Sequence, residues 1–240
     1  MGNPTGWFTM NGVHIPIMEG QSKAEAAKKY MNSKYGKTVA KLSTKSSNNK
    51  NKSYNKYTDA KGNTIDIKQS EPKEFKDTLD KAKSTNPSTD AWRVDNYSHT
   101  MADYSKDKLF ITKRGSCVAV TPDGDIISVC AKRTGDRNKE DRGRTIMEYA
   151  VKNGGKKLDS FSGNHGFYVK CGFEPVSWCK FDEQYAPPGW RKGIDKPEPI
   201  IFYKYTGNTN ISTDYKVALK NIKMSNDYDT AMNIRDKEVK

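Results

Sequence analysis

From Ser128 to Ile146 the chain reads SVCAKRTGDRNKEDRGRTI, a short apolar run that gives way to a loop of charge and glycine and then to helical spacing. Arg137, Arg142 and Arg144 surround Gly143 at the start of that helix. The first N–H groups of a helix have no intrahelical partner and carry the positive end of its dipole, so an anion is stabilised there, and glycine lets a ligand approach the backbone. Guanidinium groups add bidentate reach to phosphate oxygens. The chemistry predicted is phosphate or pyrophosphate binding, with a plain solvated helix start as the alternative.

The remaining reactive side chains give less. Cys117, Cys130, Cys171 and Cys179 form no CxxC pair and match no spacing with His14, His99 and His165, which argues against a zinc site or a disulfide framework and for reduced thiols. Cys130 falls on an expected buried strand, where a thiol is inert. Asp123 and Asp125 flank Gly124 in the PDG segment and read as turn residues, since Pro presets the first turn position and Gly accepts positive φ.

Periodicity supplies the elements that must hold these groups. Trp7, Phe8, Val13, Ile15 and Ile17 around Asn11 and Gly12 predict a hairpin, and residues 23–35 a short helix stopped by Gly36. Residues 37–61, rich in Lys, Ser and Asn, read as a linker, followed by a short strand at Ile65 and Ile67. Phe75, Leu79 and Ala82 form one stripe of a helix over 73–83, while residues 91–105 fit either a strand and turn or a short helix. Strands follow at 109–114 and 117–121, then the hairpin turn and the strand DIISVCAK. Ile146, Met147, Ala150 and Val151 recur at helical spacing up to Gly154 and Gly155. Strands at 158–161, 173–181 and 200–205 enclose a single helical turn at 167–170, and Val217, Leu219, Ile222 and Met224 predict C-terminal helix.

This order resembles the core of the GNAT superfamily of acetyl-CoA-dependent N-acetyltransferases over roughly residues 72–205, through DGDIISVCAK, DRGRTIMEYAVKNGG, KKLDSF and FYVKCGFEPV. The most specific piece, FYVKCGF, is similar to the family's aromatic–Tyr–x–Lys–x–Gly–Phe signature. LDSF, FDEQYAPPGW and EPIIFYKY also resemble phage-associated members. The resemblance implies an α/β (α+β) fold, a mixed, mostly antiparallel twisted sheet flanked by helices, with a polar N-terminal extension and a helical C-terminal one. It implies that Tyr168 protonates the leaving thiolate of coenzyme A, and that Val129, Cys130 and Ala131 pair with the pantetheine amides as a neighbouring strand would. Arg142, Gly143, Arg144 and Thr145, with Lys170, complete the implied cofactor-binding set. Where the family shows Gln or Arg, two residues, Gly, one residue, then Gly or Ala, this chain has Asn138, Asp141 and Gly143. Asp141 thus places an acid beside an expected diphosphate, which weakens binding unless its carboxylate turns away, for instance to cap the helix. Asp159, His165, His99 and Asp103 are candidates for the base, with a water chain as the family's frequent substitute. Asn164 lies four residues before Tyr168, where the family asparagine lies about seven before. Trp190, with Pro187, Pro188 and residues 91–105, is expected on the acceptor side.

An apolar fraction of 34% and a mean hydropathy of −0.93 over 240 residues predict one modest core with appendages. The expected division is a basic N-terminal extension at 1–70, a GNAT-like domain at 71–206 and a helical extension at 207–240. No apolar run is long enough to span a membrane and no secretory signal is present, so a cytoplasmic protein is expected, in a host cytoplasm if phage-encoded. Of the net charge of +13, +8 lies in residues 1–70, where twelve lysines face four acids. Two functions compete. One is acetyl transfer from acetyl-CoA to a primary amine, such as a protein lysine or N-terminus of host or phage. The other is a catalytically degenerate module binding nucleic acid or a host protein through the leader, a Lys-rich tail that only aids solubility being the bland reading.

Overall fold

The structure, a computed structural model, describes residues 4–10, 13–22, 25, 26, 29, 53–86, 94, 99–183 and 190–239. They divide into two compact units, residues 1–52 with 100–102, and the rest. In the first, β1 (Pro4–Met10) and β2 (Val13–Met18) pair antiparallel as the Asn11 and Gly12 pair predicts. Ser22 and Glu25 exchange side-chain-to-backbone hydrogen bonds of 3.2 and 2.8 Å, a capping box opening the predicted helix. Most of that helix, and the linker through residue 52, lie outside the described residues.

The second unit is an α+β arrangement of mostly antiparallel strands flanked by helices, the class expected. Five strands form a meander: β3 (Asn55–Thr58), β4 (Thr64–Gln69), β5 (Lys108–Thr112), β6 (Cys117–Val120) and β7 (Ile126–Cys130). Here the structure corrects the linker reading, because residues 55–58 are a strand paired with β4, which pairs in turn with β5. An edge strand needs only one apolar contact to dock, and Tyr57 alone in NKYT supplies it, so its composition matches that of a linker. Between β6 and β7, Gly124 takes φ of 86°, and a Cβ there would stand 2.9 Å from the Gly154 carbonyl oxygen. Only glycine satisfies both constraints.

Helix α1 (Pro72–Ser84) buries Phe75, Leu79 and Ala82, the predicted stripe, and packs on β5, β6 and β7, and its Phe75 meets Tyr104 of the short α2 (Met101–Tyr104). Helix α3 (Gly143–Lys152) buries Ile146, Met147 and Ala150 against Phe110, Val118 and Val120. Strand side chains alternate between faces, so Phe110 faces α3 while Leu109 and Ile111 face the other way.

A second sheet has the order β11-β9-β10-β8, built from β8 (Lys157–Phe161), β9 (Phe173–Cys179), β10 (Ile200–Tyr205) and β11 (Lys223–Ser225). Helix α4 (His165–Val169) links β8 to β9. In the C-terminal residues, Tyr215 and Leu219 of α5 (Tyr215–Asn221) pack against the main core, β11 adds to β9 in parallel, and α6 (Tyr228–Glu238) covers Phe202 and Cys179. No helix among the described residues is long and apolar enough to cross a membrane.

The two sheets meet at one parallel bridge, Asp125 to Lys157, backed by a 2.7 Å hydrogen bond from the Lys156 amide to the Gly124 carbonyl. Ionic groups gather at this joint. Arg235 of α6, fully buried, reaches Asp125 at 2.9 Å, Asp236 at 2.8 Å and Asp159 at 4.0 Å, and Lys157 bridges Asp123 and Asp236. Burial, with the charge of Asp159 behind it, outweighs Arg235 and holds the Asp125 carboxyl up at about 6, against an ordinary 3.8. A folded-state pKa above the unfolded one means that this group's contribution is fully present below about pH 4 and lost as pH rises through about 6. Urea unfolding at pH 5 and pH 7 should therefore show a smaller pH difference for Asp125→Asn than for the wild type, and equal differences would refute the assignment.

Candidate active site

Beyond the Asp125–Lys157 bridge, β7 and β8 run in the same direction, and neither has a sheet partner on the facing side among the described residues. We call these two facing edge strands, joined at the Asp125–Lys157 bridge, the wedge. β7 is also irregular: between the pairs Ala119–Ile127 and Cys117–Cys130, two residues, Ser128 and Val129, oppose Val118 alone. This is a β-bulge, and Ser128 at φ 53° is the sole described non-glycine residue with positive φ. Nothing in IISVC signals it, because register is set by pairing with β6.

The implied strand residues sit in this wall. Val129 is half-buried against the core, Cys130 is 5% exposed, and the Ala131 carbonyl accepts from Asn86 Nδ2 at 3.0 Å. Asn86 and Thr85, which bonds the Arg133 amide at 2.9 Å, tie the end of α1 to the end of β7. Next comes the loop to α3, which Glu140 closes by accepting from the Thr134 and Gly135 amides at 2.7 and 3.2 Å and from Arg133. The Thr134 bond, foremost, holds its carboxyl below the usual range.

At the mouth of the wedge, α3 begins with Arg142 as its N-cap, in extended conformation, with no side-chain cap and no acid in the first turn. Arg142 and Arg144 are exposed and have no ion-pair partner among the described residues. A Cβ on Gly143 would lie 3.1 Å from the Phe167 ring, so this glycine permits the close approach of α3 to α4. The Cys171 thiol is pushed up to about 12 by burial, against the pull of Arg144 and Lys61, which places both cations near the turn after α4. Lys170, exposed, caps α4 at that turn.

Asp141 and Thr145 both have side-chain partners of their own. Asp141 does not cap α3: its Oδ2 accepts from Thr112 Oγ1 at 2.6 Å, and it lines a cavity of about 310 Å³ shared with Lys56, Lys113 and Arg114. Thr145 is not open to a ligand, since its hydroxyl donates to Asp59 Oδ2 at 2.6 Å and its amide bonds the Arg142 carbonyl. Burial raises the Asp59 carboxyl, but donors from Thr145, Asn63 and Lys61 outweigh it and hold it at about 2. Asp59 lies in the β3–β4 turn, inside what the sequence presents as linker.

Tyr168 of α4 is 8% exposed, its ring 5.1 Å from Phe167, 5.8 Å from Tyr203 and 6.3 Å from Phe173. Burial, with Cys171 and Asp159, pushes its phenol well above the ordinary range, against a hydrogen bond with Ser160. It is protonated at neutral pH, a donor and not a nucleophile. Asn164 donates to Ser160 Oγ at 3.1 Å, on the same side chain.

Each candidate base has a partner. His165 is buried, donating from Nε2 to the Ser212 carbonyl at 2.9 Å and accepting at Nδ1 from Tyr203, and burial holds it neutral. His99 pairs with Asp107 at 2.6 Å, Asp103 with Lys106 at 3.3 Å, and Asp159 accepts from Tyr228 at 2.9 Å. Trp190 meets Phe181 in a tilted contact with ring centroids 4.8 Å apart, and Phe181 meets Phe161 at the far end of β8; residues 184–189 and, within 91–105, residues 91–93 and 95–98 lie outside the described residues.

The chain matches no protein-family model, no curated protein and no solved structure. The functional reading therefore rests on the geometry of the wedge.

Proposed function

We propose that this chain is an acetyl-CoA-dependent N-acyltransferase of the GNAT kind, moving acetyl by direct transfer to a primary amine such as a protein lysine or N-terminus. The observation that carries the reading is the meeting of the edge strands β7 and β8 next to a helix N-terminus with no side-chain cap, two exposed arginines without an ion-pair partner among the described residues, and a buried tyrosine on α4. An open strand edge binds amides as an added strand would, which suits the pantetheine arm. The α3 N-terminus, Arg142, Arg144 and Lys170 suit a diphosphate, and Asp141, bonded to Thr112, does not cap that helix.

Acetyl-CoA would supply, when bound, a thioester whose sulfur leaves as the coenzyme A thiolate. The acceptor amine, deprotonated, attacks the acetyl carbonyl. Tyr168 holds a proton for the departing sulfur, and burial pushes its phenol above the ordinary range, so it keeps that proton at neutral pH. Since each nearby acid or imidazole is engaged, the amine proton leaves through water. Four free cysteines and the need for acetyl-CoA suit the cytoplasm.

Calorimetric titration with coenzyme A tests the reading. Micromolar binding is expected, weakened about tenfold by Arg142→Ala and by Arg144→Ala and steeply by salt. No heat at millimolar coenzyme A would sink it. The +8 leader favours a second reading, nucleic-acid binding, which requires DNA affinity that falls between low and physiological salt and is lost on deleting residues 1–52, which leaves β3 and β4 in place.

A further inference from the structure

We propose that Tyr104 is a positioning residue for the wedge, holding β7 in its bulged conformation through Ser128; the consequence for the ligand rests on the acyltransferase reading. Bulges whose first residue is left-handed ordinarily have glycine there, since a Cβ disfavours that conformation. Here serine occupies it, at φ 53°, 6% exposed. Its hydroxyl lies 2.7 Å from the Tyr104 hydroxyl, with Tyr104 itself 5% exposed. A strained residue persists where its surroundings over-determine it, and this bond is the side-chain contact that does so.

Tyr104 is in turn fixed from two directions. Its ring is 5.3 Å from Phe75 of α1 and 5.0 Å from His99, which Asp107 holds at 2.6 Å. A rigid support therefore runs from α1 and the start of β5 to the bulge. Because the bulge inserts one residue, it sets which backbone groups of Ser128 and Val129 face the open side of the wedge, and without it their directions would exchange. Tyr104 thus acts on the ligand through the β7 backbone without touching it.

Three variants test this: Tyr104→Phe, Ser128→Gly and the double. Phe keeps the ring packing and removes the hydroxyl, while glycine adopts φ 53° unaided, so the need for Tyr104 should vanish in the double variant. Coenzyme A affinity is expected to fall about tenfold in Tyr104→Phe, as for one lost buried hydrogen bond, to remain within about twofold in Ser128→Gly, and to recover in the double variant. Amide exchange at Val129 and Cys130, read on the same proteins without ligand, should quicken about tenfold in Tyr104→Phe and return in the double variant. Unchanged exchange in Tyr104→Phe, or no recovery on adding Ser128→Gly, would overturn the proposal. Coenzyme A binding by no protein, wild type included, with the exchange pattern intact, would remove the acyltransferase reading and leave the positioning role standing.

Discussion

Replacing Tyr168 by Phe is expected to leave coenzyme A affinity within about twofold and to slow acetyl transfer by about 10² to 10⁴, the range of positioned proton transfer. The substitution is conservative for the fold, because what packs against Phe167, Phe173 and Tyr203 is the ring, and Phe keeps it. Only the hydroxyl is lost, and with it, on the proposed acyltransferase reading, the proton for the leaving sulfur. The signature is therefore a fall in kcat with KM little changed, as when an interaction made in the transition state is removed. Since burial pushes the phenol above its ordinary range, its own titration contributes no alkaline limb to the rate profile near neutral pH. Thiol release measured beside calorimetry separates the two effects. A variant that binds coenzyme A and transfers at the wild-type rate would end the general-acid role and leave the fold untouched.

The largest stability effect is expected at Arg235. Arg235→Ala should cost about 3–5 kcal/mol at pH 7, the penalty for breaking a buried ion pair by removing one partner. The guanidinium is fully buried, and without it Asp125 and Asp159 face each other across the sheet joint with no cation between them. For a domain of this size the loss lowers the melting temperature by roughly 10 °C. Its pH dependence carries a sign. Both carboxyls are already held above their ordinary range by burial, and loss of Arg235 raises them further, so acid, which protonates them, should narrow the deficit. Thermal melts of both proteins at pH 5 and pH 7 check this. A deficit as large at pH 5 as at pH 7 would mean that packing of the arginine stem, and not its charge, is what was lost. Because Arg235 ties α6 to the Asp125–Lys157 joint, its loss should also loosen the closed end of the wedge.

What the sequence determined by itself was local. Phe75, Leu79 and Ala82 mark α1, Ile146, Met147 and Ala150 mark α3, and Pro122 with Gly124 marks the β6–β7 turn, because helical spacing and turn chemistry act over a few residues. The start of α3 between Arg142 and Arg144 and the helical turn carrying Tyr168 were legible for the same reason. The tertiary structure alone decided which long-range partner each polar side chain found. Thr145 meets Asp59, 86 positions away, Asp141 turns to Thr112, and Arg235 reaches back 110 positions to Asp125. A polar edge strand such as NKYT and a left-handed Ser128 likewise have no local signature, since sheet pairing brings the first to order and packing from α2 holds the second. Propensity and period report what a segment prefers alone, whereas burial of a charge or a strained backbone is decided by whichever distant group arrives to satisfy it.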